Sequence, residues 1–156
     1  MKQIDTYIVE KLKKINSKNT GQTYNYFPKN RNELATIVYN LIKERGIKAN
    51  LNDIDTSKIT DMSVIFYNSN FNGDISEWDV SNVKNMRSMF NHSKFTGENG
   101  DISKWDVSNV QTMNYMFDHS KFKGDISKWD VSNVRQMVYM FDNSPLEKNP
   151  PKWYQE

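Results

Sequence analysis

Cysteine is absent from this 156-residue chain, which excludes a disulfide framework, thiol catalysis and Cys-based zinc sites. Long apolar runs are absent as well, and no stretch approaches the length of a membrane span. The first twenty residues, MKQIDTYIVEKLKKINSKNT, hold neither an apolar run of signal-peptide length nor a small-residue cleavage site. On that reading the chain stays in the cytoplasm, with the cell surface as the alternative if an export signal has been removed. Glycines occur singly and are not followed by Lys-Ser or Lys-Thr, so no phosphate-binding loop is present. A dominant charge is lacking too. The net charge of +2 points to neither nucleic acid nor an anionic membrane, and no cofactor is implied.

The charge is unevenly spread. Residues 1–48 hold ten Lys and Arg against four acids, a net +6 that leaves the remainder at −4. This reads as a basic N-terminal cap beside an acidic body, and nucleic acid is not the expected partner. With 37% apolar residues, the length suits one domain with a continuous core.

What the chain does contain is a repeat. SEWDVSNVKNMRSMF at 76–90 recurs as SKWDVSNVQTMNYMF at 103–117 and SKWDVSNVRQMVYMF at 127–141. A degenerate copy lies 24 residues upstream, where Asp55, Ser57, Ile59, Met62 and Phe66 match Asp79, Ser81, Val83, Met86 and Phe90. Downstream, NPPKW at 149–153 places Trp153 one period after Trp129 as a closing half-repeat. The Trp78 to Trp105 step is 27 residues, and its extra three fall in the Gly97–Gly100 segment, where a Gly-rich turn absorbs an insertion.

Within each unit, Ile75, Trp78 and Val80 have the spacing of a leucine-rich-repeat strand. Val83, Met86, Met89 and Phe90 follow at i, i+3, i+6 and i+7, which predicts two turns of an amphipathic helix with Ser81 or Asn82 as N-cap. The expected fold class is therefore α/β: a leucine-rich-repeat-like solenoid of short parallel strands, stacked about 4.8 Å apart, and short helices. An N-terminal helical cap is expected over 1–48 and the solenoid over 49–156. In the cap, Asn30 with Glu33 signals a helix start. Leu34, Ile37, Val38, Leu41 and Ile42 form its apolar stripe, and Gly46 stops it. Tyr24 to Pro28 reads as extended, and Ile4, Ile8, Leu12 and Ile15 mark an earlier helix.

The run WDVSNVxxMxxMF, present three times, closely resembles the BspA-like bacterial surface-protein repeat family, also described as DUF285 or the 26-residue lipoprotein repeat. The resemblance spans about residues 30–153. It implies a divergent leucine-rich-repeat solenoid in a family whose members are often exported or lipid-anchored and are proposed to bind host matrix proteins. It supplies no catalytic residue.

The residues themselves point the same way. Asp74, Asp79, Asp101, Asp106, Asp125 and Asp130 recur in pairs five apart, and stacked carboxylates bind Ca²⁺ in some solenoids; beside tight turns their expected role is to satisfy backbone N–H groups. His92 and His119 lack an Asp and Ser or Cys arrangement that would make a triad, so they read as surface residues and no metal is assigned. Trp78, Trp105, Trp129, Trp153, Met86, Met113, Met137, Phe90, Phe117 and Phe141 are the expected structural ladder. Recognition belongs at positions that differ between copies. Tyr115 and Tyr139, one coil apart, lead there, with Arg87, His92 and His119 as further candidates. The expected function is non-catalytic binding of a protein partner, with a self-associating structural module forming a homo-oligomer, or weak nucleic-acid binding through the basic N-terminal region, as the alternatives.

Overall fold

The computed structural model describes residues 21–155; the helix expected around Ile4 to Ile15 lies outside them. Helix α1, Arg31–Arg45, forms where the capping signals place it. The Asn30 side chain accepts from the Glu33 N–H at 3.0 Å, and Gly46, at φ 91°, donates its N–H to Ile42 at 2.8 Å. The Glu33 carboxylate reaches back to the Lys29 N–H, one residue beyond the cap itself. Leu34, Val38 and Leu41 are buried, so the helix lays its apolar stripe on the first coil of the array. Arg31 Nε donates to the Ser63 carbonyl at 2.6 Å, fastening the helix start to that coil. Ahead of α1, Tyr26 pairs in parallel with Ile54, as an extended segment should.

The body is a stack of four coils, 51–74, 75–101, 102–125 and 126–149. It closes with Trp153, whose indole Nε1 donates to the Ile126 carbonyl at 3.0 Å. The α/β leucine-rich-repeat-like solenoid read from the sequence does not form. Among the described residues α1 is the one helix, and strand pairing is limited to isolated bridges such as Asp61 to Asn85, Asn85 to Thr112 and Thr112 to Gln136, with no sheet.

Where a helix was expected, the chain makes three overlapping turns. Met89, Asn91 and Ser93 donate their N–H groups to the carbonyls of Met86, Ser88 and Phe90, each three residues back. Ser88 and His92, third in the first and last of these turns, take φ of 53° and 57°, the left-handed region that ends any α-helix. The same two positions are left-handed in every coil: Val64 and Asn68, Tyr115 and His119, Tyr139 and Asn143.

The reason is hydrogen bonding between coils. A helix would consume every N–H internally, whereas this turn ribbon frees alternate ones to reach the next coil. Met62, Val64, Phe66 and Asn68 donate to Asn85, Arg87, Met89 and Asn91 at 2.8 to 3.0 Å. Met86, Ser88, Phe90 and His92 repeat this toward Thr112, Asn114, Met116 and Asp118. Met113, Tyr115, Phe117 and His119 repeat it toward Gln136, Val138, Met140 and Asp142.

On the opposite side, where a strand was expected at Trp78 to Val80, side chains join the coils. Each Trp indole donates to the carbonyl of the preceding coil: Trp78 to Leu51, Trp105 to Ile75 and Trp129 to Ile102, at 2.9, 3.3 and 3.1 Å. Asn82, Asn109 and Asn133 carboxamides do the same to Ser57, Ser81 and Ser108 at 2.8, 2.6 and 2.6 Å. Ser81 and Asn82 are thus turn and ladder residues, not helix caps.

Between the two sides lies the core. Phe66, Phe90, Phe117 and Phe141 stack with centroids 5.4, 5.5 and 5.9 Å apart and planes within 3° of parallel. Phe71, Phe95 and Phe122 form a second column beside the first, and Met86, Met89, Met113 and Met116 are fully buried around them. Met137 is only half-buried, because its coil has no full neighbour on one side among the described residues.

Candidate functional site

The left-handed positions bring the variable residues to one surface. Arg87 lies 5.8 Å over the Tyr115 ring, which stacks on Tyr139 at 5.4 Å, giving one column along the stack. Four residues further along their coils, His92 and His119 stack with centroids 4.5 Å apart, and Tyr67, one residue before the equivalent position in the first coil, lies 6.3 Å from His92 and extends this second column. The five residues singled out in the sequence therefore fall into two parallel rows on the turn ribbon. The His92 and His119 planes lie within 6° of parallel and those of Tyr115 and Tyr139 within 26°, so within each pair the facing ring surfaces cover one another. Tyr139 is 54% exposed and has a ring neighbour on one side only among the described residues.

Tyr67, which varies between copies with Asn91, Asp118 and Asp142 but is not among the leading candidates, lies beside His92 and is 54% exposed. Asn91 and Asp118, at the same variable position, turn out to support the histidines. His119 Nδ1 meets the Asp118 carboxylate at 2.5 Å, and His92 Nδ1 meets the Asn91 side-chain oxygen. The signal for that role in the sequence is that each support immediately precedes its histidine.

The aspartate ladder faces elsewhere and is engaged in turns. Asp74, Asp79, Asp101, Asp106, Asp125 and Asp130 each accept the N–H of the Ser two residues on, at 2.8 to 3.1 Å. Burial raises the Asp74 carboxyl, but the Ser76 N–H and hydroxyl outweigh it and hold it below its ordinary value. The Ser103 N–H lowers Asp101, and the hydroxyls of Ser127 and Ser132 lower Asp125 and Asp130. Among the described residues no group of three or more His, Asp or Glu is arranged to hold a metal ion.

In the described part of the basic region, Arg31 and Arg45 are engaged in structural contacts. Arg45 forks onto Asp53 at 2.8 and 3.0 Å, a contact that raises its pKa, and it lies 5.7 Å from the Tyr26 ring centroid. Five of the ten N-terminal cations precede residue 21 and lie outside the described residues. No helix among the described residues is long and apolar enough to cross a membrane.

A family model described as "Mycoplasma protein of unknown function, DUF285" matches residues 34–153, most of the chain. The chain belongs to the DUF285 family. No curated protein and no solved structure matches it. The DUF285 match begins at Leu34, inside α1, and ends at Trp153, the residue that closes the stack. It thus includes most of the capping helix as well as the coils.

Proposed function

We propose that this DUF285 chain is a non-catalytic interaction module that binds another protein through the two columns on its turn ribbon. One observation supports this most. Tyr115, Tyr139, His92 and His119 occupy left-handed backbone positions, at φ of 53° to 58°, where residues with a Cβ are strained by about 1–2 kcal/mol. Asn68 and Asn143 occupy the same position as the histidines, and Asn tolerates that region at lower cost. Large ring side chains at such sites are poor choices for stability alone; His92, His119 and Tyr139 are exposed, and Tyr115 is partly covered between Arg87 and Tyr139.

Exposed aromatics with a polar rim are effective protein anchors, because they bury large area with few rotatable bonds. The experiment is affinity capture from extracts of the source organism and its host, with a Tyr115→Asn/Tyr139→Asn double variant as control. Asn keeps the left-handed backbone comfortable, so the fold should survive. A protein retained by the native chain and lost by the variant, at matched thermal stability, is the expected result. Identical retention by both would end the proposal.

A second reading, self-association, is favoured by the last coil. Val138 and Tyr139 are both 54% exposed. The N–H groups of Met137 and Tyr139 have no partner among the described residues, whereas those of Met113 and Tyr115 are bonded to Gln136 and Val138. Light scattering across concentration separates the two readings.

A further inference from the structure

Asn-Gly occurs twice in the chain, at Asn72-Gly73 and Asn99-Gly100, in the related sequences FNGDIS and ENGDIS. The two settings differ. Asn72 is half-buried, and its side-chain oxygen accepts from both the N–H and the hydroxyl of Thr96, at 3.0 and 3.1 Å. Its own N–H is bonded to the Ile47 carbonyl and that of Asp74 to Ala49, so the backbone is pinned on both sides of Gly73. Gly73 also packs so closely on Ala49 that a Cβ there would lie 2.0 Å from the Ala49 oxygen.

Asn99 lies in the three-residue insertion and is exposed. No backbone-to-backbone hydrogen bond involves Gly97, Asn99 or Gly100 among the described residues. The one restraint on its carboxamide is a 2.8 Å bond from Nδ2 to the Asn72 carbonyl. Gly100 is itself buried, with a Cβ there only 2.8 Å from the Gly73 oxygen, so what separates the two sites is hydrogen bonding: backbone bonds flank Gly73 on both sides and none among the described residues flanks Gly100, which lowers the cost of local opening at Asn99.

We propose that Asn99 is a site of spontaneous, enzyme-independent deamidation, and that Asn72 is protected by the coil that holds it. The Gly100 amide nitrogen loses its proton to base and attacks Asn99 Cγ. The new N–Cγ bond closes a five-membered succinimide as the Cγ–Nδ2 bond breaks, and the departing nitrogen takes up a proton from solvent and leaves as ammonia. Water then opens the ring at either carbonyl, leaving an aspartyl or isoaspartyl residue at position 99. Asn-Gly is the susceptible pair because glycine has no side chain to hinder the attack. The product adds a negative charge beside Glu98, whose carboxylate already pairs with Lys123 at 2.6 Å, and removes the tie to Asn72. The isoaspartyl form also lengthens the main chain by one carbon, at the place where the repeat already accommodates extra length.

Tryptic mapping after incubation in warm alkaline buffer tests this directly. The peptide 95–104, FTGENGDISK, contains Asn99 as its only asparagine. It should gain about 1 Da, the change from amide to acid. In the folded protein the gain at Asn99 should outpace that at Asn72 by about tenfold or more, a ratio equivalent to about 1.4 kcal/mol of extra opening cost. In denaturant the two rates should converge. An Asn99→Gln variant should leave peptide 95–104 unchanged over the same interval. Peptide 95–104 unmodified in the native chain, or Asn72 reacting as fast as Asn99 while folded, would overturn the proposal.

Discussion

The turn ribbon makes an unusual demand at Tyr139: glycine should be better there than alanine. Tyr139 has φ 55° and is 54% exposed, so replacing it by either residue removes the same stacking on Tyr115 and leaves little Cβ contact to lose. The difference between the two variants then isolates the backbone. Adding a Cβ to a left-handed residue costs about 1–2 kcal/mol. Glycine gives back about 0.4–1 kcal/mol through the greater freedom of its unfolded chain. Tyr139→Gly should therefore be more stable than Tyr139→Ala by about 0.5–1 kcal/mol. In a helix over 134–141 the order would be reversed, with alanine ahead by about 0.8–1.0 kcal/mol. The two accounts differ in sign, not only in size. Urea unfolding of the two variants, read by tryptophan fluorescence, gives the comparison without reference to the native protein. Alanine more stable than glycine would refute the turn assignment and restore the helix.

Two further outcomes follow from the packing and from the aspartates. Met113→Ala, at a fully buried position between coils, should cost about 2–5 kcal/mol, whereas Met137→Ala, half-buried on the last coil, should cost about 1–2 kcal/mol; equal costs in chemical denaturation would mean that the end coil is covered. Asp74, Asp101, Asp125 and Asp130 have carboxyls lowered in the folded state, so the folded chain binds fewer protons there than the unfolded one. Their contribution should be fully present above about pH 4, the unfolded-state value, and should fade as pH falls through the lower folded values. Because the partners of these carboxylates are mainly N–H and hydroxyl groups, the acid loss should persist in high salt. A urea midpoint that stays constant down to about pH 2 would show that these turns contribute nothing.

Much of this structure was legible in the chain, and the part that was not has a clear cause. Repeat phase indicates which residues face inward: Trp78, Trp105, Trp129, Met86, Met113, Phe90, Phe117 and Phe141 are buried, while Met137 and Trp153 at the end of the stack are only partly so. Helix α1 was legible because Asn30, Glu33 and Gly46 are local signals with local partners. The ribbon was not, since Met86, Met89 and Phe90 converge on one side equally well in a helix and in overlapping turns. What normally separates the two is glycine at the left-handed residue, and here that residue is Val64, Ser88, Tyr115 or Tyr139. The deciding interaction is the bond from each alternate N–H to the next coil, which no single copy of the repeat contains. The candidate site was half legible: variation between copies located its residues, but their arrangement in two columns depends on backbone geometry that the variation does not reveal.

The bonds between coils also set how the molecule would respond to being pulled. They run along the stacking direction, so tension applied across the two ends loads the junctions one after another, like links in a chain, and leaves the contacts within each coil largely unstressed. The weakest junction opens first. When a coil of 24 residues then unravels, it releases about 80 Å of slack, enough to relax the load before the next junction is tried. Such a stack yields in discrete steps and keeps its remaining coils folded while it extends.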